Sequence, residues 1–331
     1  MRFGFFFWPY TPEYTARMAR LGDEYGFDMV GIADTPGNAM DPWVAMTLSA
    51  AATSRVRLAT CVTNLVTRHP AITASAAASV DVASGGRTIL GIGAGHSGVA
   101  NVGGAPSGAG ALREGVDFLR TVLSGEPASW RGAATHLSWV RRRVPVYAAA
   151  SGPGALRAAG AAADGAFVNY GLGPEHVSRA RELIEAGATE AGRRAGDVDV
   201  WSIACLDVSA RREAAFEKLG NILGFVAAYI LGPDPVGRGV PPALVPGVRE
   251  LRASYTTRRR EMDATLVKRL GLFDYLRARL AVAGTPEDCV EQARAAGAAG
   301  ATQLMFTVSL AADPVSTVEL FGREVLPVLA R

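Results

Sequence analysis

The residues of this 331-residue chain that could do chemistry are few and scattered. Its four histidines, His69, His96, His136 and His176, form no close pair, so the ligand spacing of a metallohydrolase is missing. The two lysines, Lys218 and Lys268, stand at no expected strand end, which argues against Schiff-base chemistry. No two expected strand ends both offer glutamate, so the carboxylate pair of glycoside hydrolysis is absent. Cys61, Cys205 and Cys289 are spaced too widely for a disulfide framework or a zinc ribbon. The expected strand ends do offer Phe6, Phe7 and Trp8, Asp34 and Thr35, Thr63 and Asn64, Gly95, His96 and Ser97, Ser151 and Gly152, Asn169 and Tyr170, and Ser309. A set rich in Gly, Ser, Thr and Asn but short of acids and bases points to a bound organic cofactor as the carrier of the reaction.

The elements that must position these residues are marked by proline. Pro12, Pro42, Pro70, Pro153, Pro174, Pro286 and Pro314 each fall where a helix begins after an apolar strand, the position at which a missing N–H is no loss. Thr11, Asp41, Thr285 and Asp313 precede four of them as N-caps. The strands read as 2–7, 29–34, 56–63, 88–94, 144–150, 166–170, 198–208 and 302–309, most of them continuous apolar runs suited to parallel strands covered on both faces. Helices are expected over 12–25, 42–53, 70–84, 110–123, 153–163, 174–195, 286–296 and 314–330. Eight strands each followed by a helix give an α/β chain of the (β/α)8 barrel class, a single domain over 1–331, with insertions after strands four and seven. The first insertion, near Glu126–Arg143, reads as a hairpin. The second, 209–284, reads as two amphipathic helices around a Gly/Pro-rich middle and would serve as a lid, a substrate pocket or a dimerisation element.

Composition narrows the partners. The chain is 49% apolar and carries a net charge of only +3, from 34 basic and 31 acidic residues that are interspersed. The short runs Arg141-Arg142-Arg143 and Arg258-Arg259-Arg260 read as solvated faces, so no nucleic-acid partner is expected. The start MRFGFFFWPY lacks the basic region and cleavage site of a signal peptide, and no apolar run approaches the roughly 20 residues of a membrane span. A cytoplasmic protein with no membrane partner and a small-molecule substrate is the expectation.

Two stretches suit a cofactor. Ala150-Ser151-Gly152-Pro153-Gly154 runs from an apolar strand into a helix and offers a hydroxyl and free amides at a positive helix end, a phosphate-holding arrangement. Ala59-Thr60-Cys61-Val62-Thr63-Asn64 places polar side chains at a strand end where a flat ring could approach. With Thr67-Arg68-His69-Pro70, the run Gly86-Arg87-Thr88-Ile89-Leu90-Gly91-Ile92-Gly93-Ala94-Gly95, Ala163-Asp164-Gly165 and Gly284-Thr285-Pro286-Glu287, these segments resemble the luciferase-like flavin and deazaflavin superfamily. The resemblance is nearest to its coenzyme F420-dependent, methylenetetrahydromethanopterin-reductase-type branch. It spans the barrel and is weak over 209–284.

The resemblance implies a barrel mouth holding coenzyme F420 or, in the alternative, FMN. It places the ring against a bulge in strand three, with a non-prolyl cis peptide near Cys61-Val62, and the phosphate on Ser151, Gly152 and Gly154 beside Val168 and Asn169, with Pro153 also in the cofactor set. Cys61, Val62, Thr63, Asn64 and Gly95 complete the implied cofactor set, with Asp34 at the cofactor's polar edge and His96 as a proton donor. His96 departs from the Asp or Glu that relatives often carry after Gly-x-Gly. Thr35 stands where the sugar-phosphate dehydrogenase branch carries histidine, so glucose-6-phosphate is not the expected substrate. His69 reads as a helix-start residue rather than a catalytic one. The leading expectation is an F420-dependent oxidoreductase moving a hydride to or from a C=N, C=C or C=O bond. An FMN-dependent monooxygenase and a non-catalytic flavin-binding protein are the alternatives, and family analogy implies a homodimer.

Overall fold

The computed structural model describes residues 1–256 and 263–330, so the Arg258-Arg259-Arg260 run lies outside the described residues. Its strands are β1 (Arg2–Phe7), β2 (Met29–Ile32), β3 (Arg57–Thr60), β4 (Thr63–Asn64), β5 (Thr88–Gly93), β6 (Ala128–Trp130), β7 (Ala133–Thr135), β8 (Val146–Ala150), β9 (Gly165–Val168), β10 (Asp199–Val208), β11 (Ala281–Gly284) and β12 (Gln303–Thr307). The main sheet runs β11-β10-β12-β1-β2-β3-β5-β8-β9, and β10 also pairs with β9. Strands β1, β2, β3, β5, β8, β9, β10 and β12 are the eight of a closed, parallel (β/α)8 barrel, and each overlaps one of the eight expected runs. Strand β5 is buried along all six of its residues, as a parallel strand covered on both faces must be.

Packing groups the described residues into two compact units. One comprises Phe6–Val168 and Ala180–Trp201. Here the proline rule holds in atomic detail. Thr11 Oγ1 accepts from the Tyr14 N–H at 3.2 Å, Asp41 Oδ1 from Trp43 at 2.9 Å, and His69 Nδ1 from Ala71 at 3.2 Å, closing the helices Pro12–Tyr25, Pro42–Ala52 and Pro70–Ala83. His69 therefore has the structural role expected of it. The β6–β7 antiparallel pair lies within the segment expected to form a hairpin. After it, Arg142 pairs with Asp81 at 3.3 Å and Arg143 pairs with Asp164, so two of the three arginines in this run are neutralised rather than presented as a patch.

The other unit comprises Met1–Phe5, Asn169–Arg179 and Ser202–Arg331. Thr285 and Asp288 form a reciprocal capping box and Asp313 caps the helix Pro314–Leu320. Three expectations are corrected in detail. Residues 281–284, placed in the helical insertion, form β11, paired in parallel with the end of β10 from Cys205↔Ala281 to Val208↔Gly284; four apolar residues are too few to show a period. The helix after Pro174 ends at Glu190 rather than 195, just before Gly192 turns into the left-handed region at φ +68°. The C-terminal helix widens into a π turn over Phe321–Val325, one turn ahead of Pro327, whose ring has no N–H for the Arg323 carbonyl. Within the second insertion the helices Leu219–Ile230 and Val245–Ala253 flank the turn-rich segment 231–241. No helix of the described residues is long and apolar enough to cross a membrane.

Asp207, 1% exposed near the end of β10, ties down the segment after β12. Its Oδ2 accepts the Ala312 N–H at 2.9 Å and its Oδ1 the Thr317 hydroxyl at 3.4 Å. Burial nevertheless pushes its carboxyl up to about 7, so the unfolded chain ionises at lower pH than the folded one. Stability tied to this proton is fully present below about pH 4 and is lost as pH rises through 7. Asp207→Asn removes the titration, its Oδ1 accepting the Ala312 N–H while its Nδ2 donates to the Thr317 hydroxyl oxygen. It is expected to raise the melting temperature by about 3 °C at pH 8 and by much less at pH 5, read from paired thermal melts.

Candidate functional site

Strand three is broken where the sequence suggested a bulge. Ala59 pairs with Ile89 and Thr63 with Ile92, so four steps along β3 and β4 match three along β5, leaving one extra residue. The peptide bond between Cys61 and Val62, inside this bulge, is cis. Thr60 repairs the interrupted ladder with its side chain: its hydroxyl donates to the Gly91 carbonyl at 2.8 Å and accepts the Gly91 N–H at 2.9 Å. The strand-three backbone comes this close because β5 presents no side chains here. A Cβ on Gly91 would lie 2.0 Å from the Thr60 carbonyl oxygen, one on Gly93 2.8 Å from Val62 Cγ2, and one on Gly95 3.0 Å from Asn64 Cβ. Glycines at every second position mark a face reserved for close approach, and the spacing of Gly91, Gly93 and Gly95 is the sequence signal for it. Nothing in the sequence around Thr60 signals its role.

Polar groups collect on the bulge. Thr63, 2% exposed, donates to Asp34 Oδ2 at 2.6 Å from the neighbouring loop after β2. Asp34 is half-buried, and its Oδ1 has no hydrogen-bond partner among the described residues. Burial raises its carboxyl above the ordinary range and the charge of Asp41 adds to this, while the Thr63 hydroxyl and Arg68 pull the other way. Asp41 is itself held by Arg68 at 2.8 Å. The loop after β5 is fastened to the same place: Thr35 and Ser97 hydroxyls lie 3.3 Å apart, Asn101 Nδ2 donates to the Pro36 carbonyl at 2.9 Å, and Gly98 sits where a Cβ would meet the Asp34 carbonyl at 2.8 Å. His96, half-exposed, opens the short helix His96–Ala100 directly after Gly95, which turns at φ +89°. The structure thus brings Asp34, Thr63, Val62, Gly95 and the start of the His96 helix into one neighbourhood. Asn64 is differently used, its Oδ1 accepting the N–H groups of Val66 and Thr67, both at 2.9 Å. Cys61 is buried and its thiol is pushed up far beyond the neutral range, so it is no nucleophile.

The turn after β8 differs from five other proline-led helix starts. Gly152 occupies the N-cap of the helix Pro153–Ala162 in an extended conformation with no side chain capping it, whereas Thr11, Asp41, His69, Thr285 and Asp313 all close theirs. Ser151 is half-exposed beside it, and Gly154 has Ala109 Cβ 3.2 Å from where its own Cβ would stand. A helix start left open, flanked by a hydroxyl and lacking bulk, can accept an anion. Val168 ends β9, which pairs with β8 through Ala150↔Val168, and Asn169 is the next residue of the chain, in the other unit. Among the described residues there is no group of three or more His, Cys, Asp or Glu side chains that could hold a metal ion.

The family described as luciferase-like monooxygenase matches residues 2–303. The 5,10-methylenetetrahydromethanopterin reductase of Methanopyrus kandleri is 29% identical, with 96% of this chain and 95% of that protein aligned. The F420-dependent glucose-6-phosphate dehydrogenase of Nakamurella multipartita is 30% identical over 68% of this chain and 71% of its own. Among solved structures, the coenzyme F420-dependent tetrahydromethanopterin reductase of Methanopyrus kandleri superposes with a TM-score of 0.76 at 26% identity, covering 99% of both chains.

Proposed function

Because the chain belongs to the luciferase-like monooxygenase family, we propose that it is an oxidoreductase that binds coenzyme F420 and moves a hydride to or from a C=N, C=C or C=O bond of a small organic substrate. The observation that carries the reading is the strand-three bulge laid on the glycine face of β5, with half-exposed Val62 and the Asp34 carboxyl at its edge. It offers a ring the half-exposed Val62 side chain beside the Asp34 carboxyl, and relatives whose names carry the same coenzyme share most of the chain. When bound, the deazaflavin supplies or accepts the hydride at its C-5. Ser151, Gly152, Pro153 and Gly154, with the backbone at Val168, hold its phosphate at the open helix start. Asp34, fixed through Oδ2 by Thr63, turns Oδ1 to the polar edge of the ring. Its carboxyl keeps a proton to higher pH than an exposed aspartate does. His96 is placed to exchange a proton with the substrate atom that gains or loses charge. Thr35, in place of the histidine of the sugar-phosphate branch, favours a substrate other than glucose-6-phosphate.

A side-by-side titration of the purified protein with oxidised coenzyme F420 and with FMN, followed by fluorescence quenching, tests the reading. Saturable binding of coenzyme F420 with FMN at least about tenfold weaker is expected. Preference for FMN, together with oxygen uptake on adding reduced FMN and substrate, would move the protein to monooxygenase chemistry, and binding without turnover in excess reductant would make it a carrier.

The chain assembles as a homodimer in this reading. The outward faces of the helices Pro42–Ala52 and Pro70–Ala83 carry no Lys, Arg or Glu, and Val44, Ile72 and Val82 are 52%, 57% and 70% exposed on them. Uncharged faces with repeated exposed aliphatics are protein-contact surfaces. Ile72→Glu is expected to shift the sedimentation of the protein from dimer to monomer; an unchanged dimer would place the interface elsewhere.

A further inference from the structure

In the unit containing Ser202–Arg331, Arg279 is buried and Arg238 half-buried, and among the described residues neither guanidinium is hydrogen-bonded to a carboxylate. Arg279, the next-to-last residue of the helix Phe273–Leu280, is 3% exposed, and its guanidinium binds only neutral groups. Nη2 donates to the Tyr170 carbonyl at 3.0 Å and to the Arg238 carbonyl at 2.8 Å, Nε to Tyr170 again at 3.3 Å, and Nη1 to the Tyr275 hydroxyl at 2.6 Å. Its charge also lies 5.9 Å from the ring centres of Tyr170 and Tyr275. Arg238, in the turn-rich segment 231–241 of the second insertion, is half-buried. Its guanidinium has no hydrogen-bond or ion-pair partner among the described residues. Asp234, whose charge reaches it, is committed to its own turn, accepting the Gly237 N–H at 2.9 Å.

Partly withdrawing two neighbouring cations from water is unfavourable when no carboxylate is bonded to either, and a ligand that supplies negative charge relieves the cost. Burial pulls the Arg238 pKa down and the neighbouring Arg279 adds to this, while Tyr170, Asp234 and Tyr229 pull the other way. Arg279 fixes where the second guanidinium sits. A single nitrogen grips both the Tyr170 carbonyl and the Arg238 carbonyl, so the turn is held to the segment that follows β9. Segments that follow the strands carry the ligand sites of such barrels. A guanidinium with its fork unoccupied and its backbone clamped is preorganised for a carboxylate or a phosphate.

We infer that Arg238 anchors an anionic group of the substrate, a carboxylate or a phosphate, with Arg279 as the positioning residue that holds it there. Calling the ligand a substrate rests on the oxidoreductase reading above; the anion site itself does not.

The test uses the full chain, with coenzyme F420 titrated first and then inorganic phosphate or succinate added while thermal unfolding is followed. Wild type is expected to be stabilised saturably by one of the two probes, the phosphate and succinate arms telling which anion geometry the site prefers. Arg238→Gln is expected to weaken that response at least about fivefold, while Arg238→Lys keeps part of it and both variants bind the coenzyme within about twofold of wild type. Unaltered anion binding in Arg238→Gln, or no saturable response to either probe in wild type, overturns the inference. Should Arg238→Gln melt far below wild type, the Arg238→Lys titration decides, because a lysine that leaves the fold intact but weakens phosphate relative to succinate still reads the lost fork, and identical affinities for both probes do not. Failure of wild type to bind the coenzyme counts against the proposed function alone, since the anion titration is then read on the free protein.

Discussion

Gly91→Ala is expected to weaken coenzyme binding by about 100-fold and to destabilise the protein by about 3 kcal/mol. The added methyl would stand 2.0 Å from the Thr60 carbonyl oxygen, and it would also press on Phe167 at 2.9 Å and Val62 at 3.1 Å. The nearest of these is backbone, which cannot rotate aside, so strand three must move. Moving it breaks the paired hydrogen bonds between Thr60 and Gly91 and carries Cys61, Val62 and Thr63 away from Asp34. Gly93→Ala provides the contrast. Its methyl would meet Val62 Cγ2 at 2.8 Å, the end of a side chain that can turn, so the loss of affinity should be about tenfold and the loss of stability near 1 kcal/mol. Quenching titrations and thermal melts of the two variants check the ranking. Equal effects would mean that the glycine face tolerates a methyl anywhere and that the bulge does not support the ring.

What was legible in the sequence was local chemistry. A Thr or Asp before a Pro closes a helix start through atoms two or three residues apart, and Thr11, Asp41, Thr285 and Asp313 do so as expected. Buried parallel strands announce themselves as apolar runs, and most of the eight barrel strands are legible that way. Strand three was read as one run over 56–63 because nothing in the composition of Thr60-Cys61-Val62 signals a bulge; its cause lies on β5, in glycines some thirty residues away. The resemblance, not the residue pattern, pointed to Cys61-Val62. The open helix start at Gly152 was visible as a glycine-rich turn, yet its distinction from the other starts appears only when their caps are seen in place. The grip of Arg279 on Tyr170 and Arg238 joins residues 109 and 41 positions apart, and no periodicity encodes such a contact.

Arg87→Ala is expected to cost about 4 kcal/mol of stability and about 8 °C in melting temperature, while leaving coenzyme affinity within threefold at temperatures well below the transition. Arg87 opens the segment that becomes β5, and its side chain reaches away from that strand into the end of the helix Pro42–Ala52 and the turn beyond. Nη2 donates to the carbonyls of Ala50 and Thr53 at 3.1 and 2.9 Å, Nη1 to the Thr53 hydroxyl and the Val56 carbonyl, both at 2.8 Å, and Nε to the Ser84 carbonyl at 2.8 Å. Ala50 lies in the last turn of the helix and Thr53 at its C-cap, where carbonyls have no intrahelical donor and where a cation opposes the negative end of the helix dipole. Five charge-assisted bonds at full value would sum to more than the figure given; the side chain is only partly buried, and water replaces some of them. Lysine should recover less than half, because one ammonium has three hydrogens and no planar fork with which to meet five acceptors in two directions. Burial lowers the Arg87 pKa, but a guanidinium stays protonated at any working pH, so the loss should be the same at pH 6 and pH 8. This flat profile separates Arg87→Ala from Asp207→Asn, whose effect grows over the same interval. A loss below about 1 kcal/mol would show that water serves these carbonyls as well as the arginine does. A large fall in coenzyme affinity without a fall in melting temperature would show that the glycine face depends on the anchoring of its strand as much as on its missing side chains.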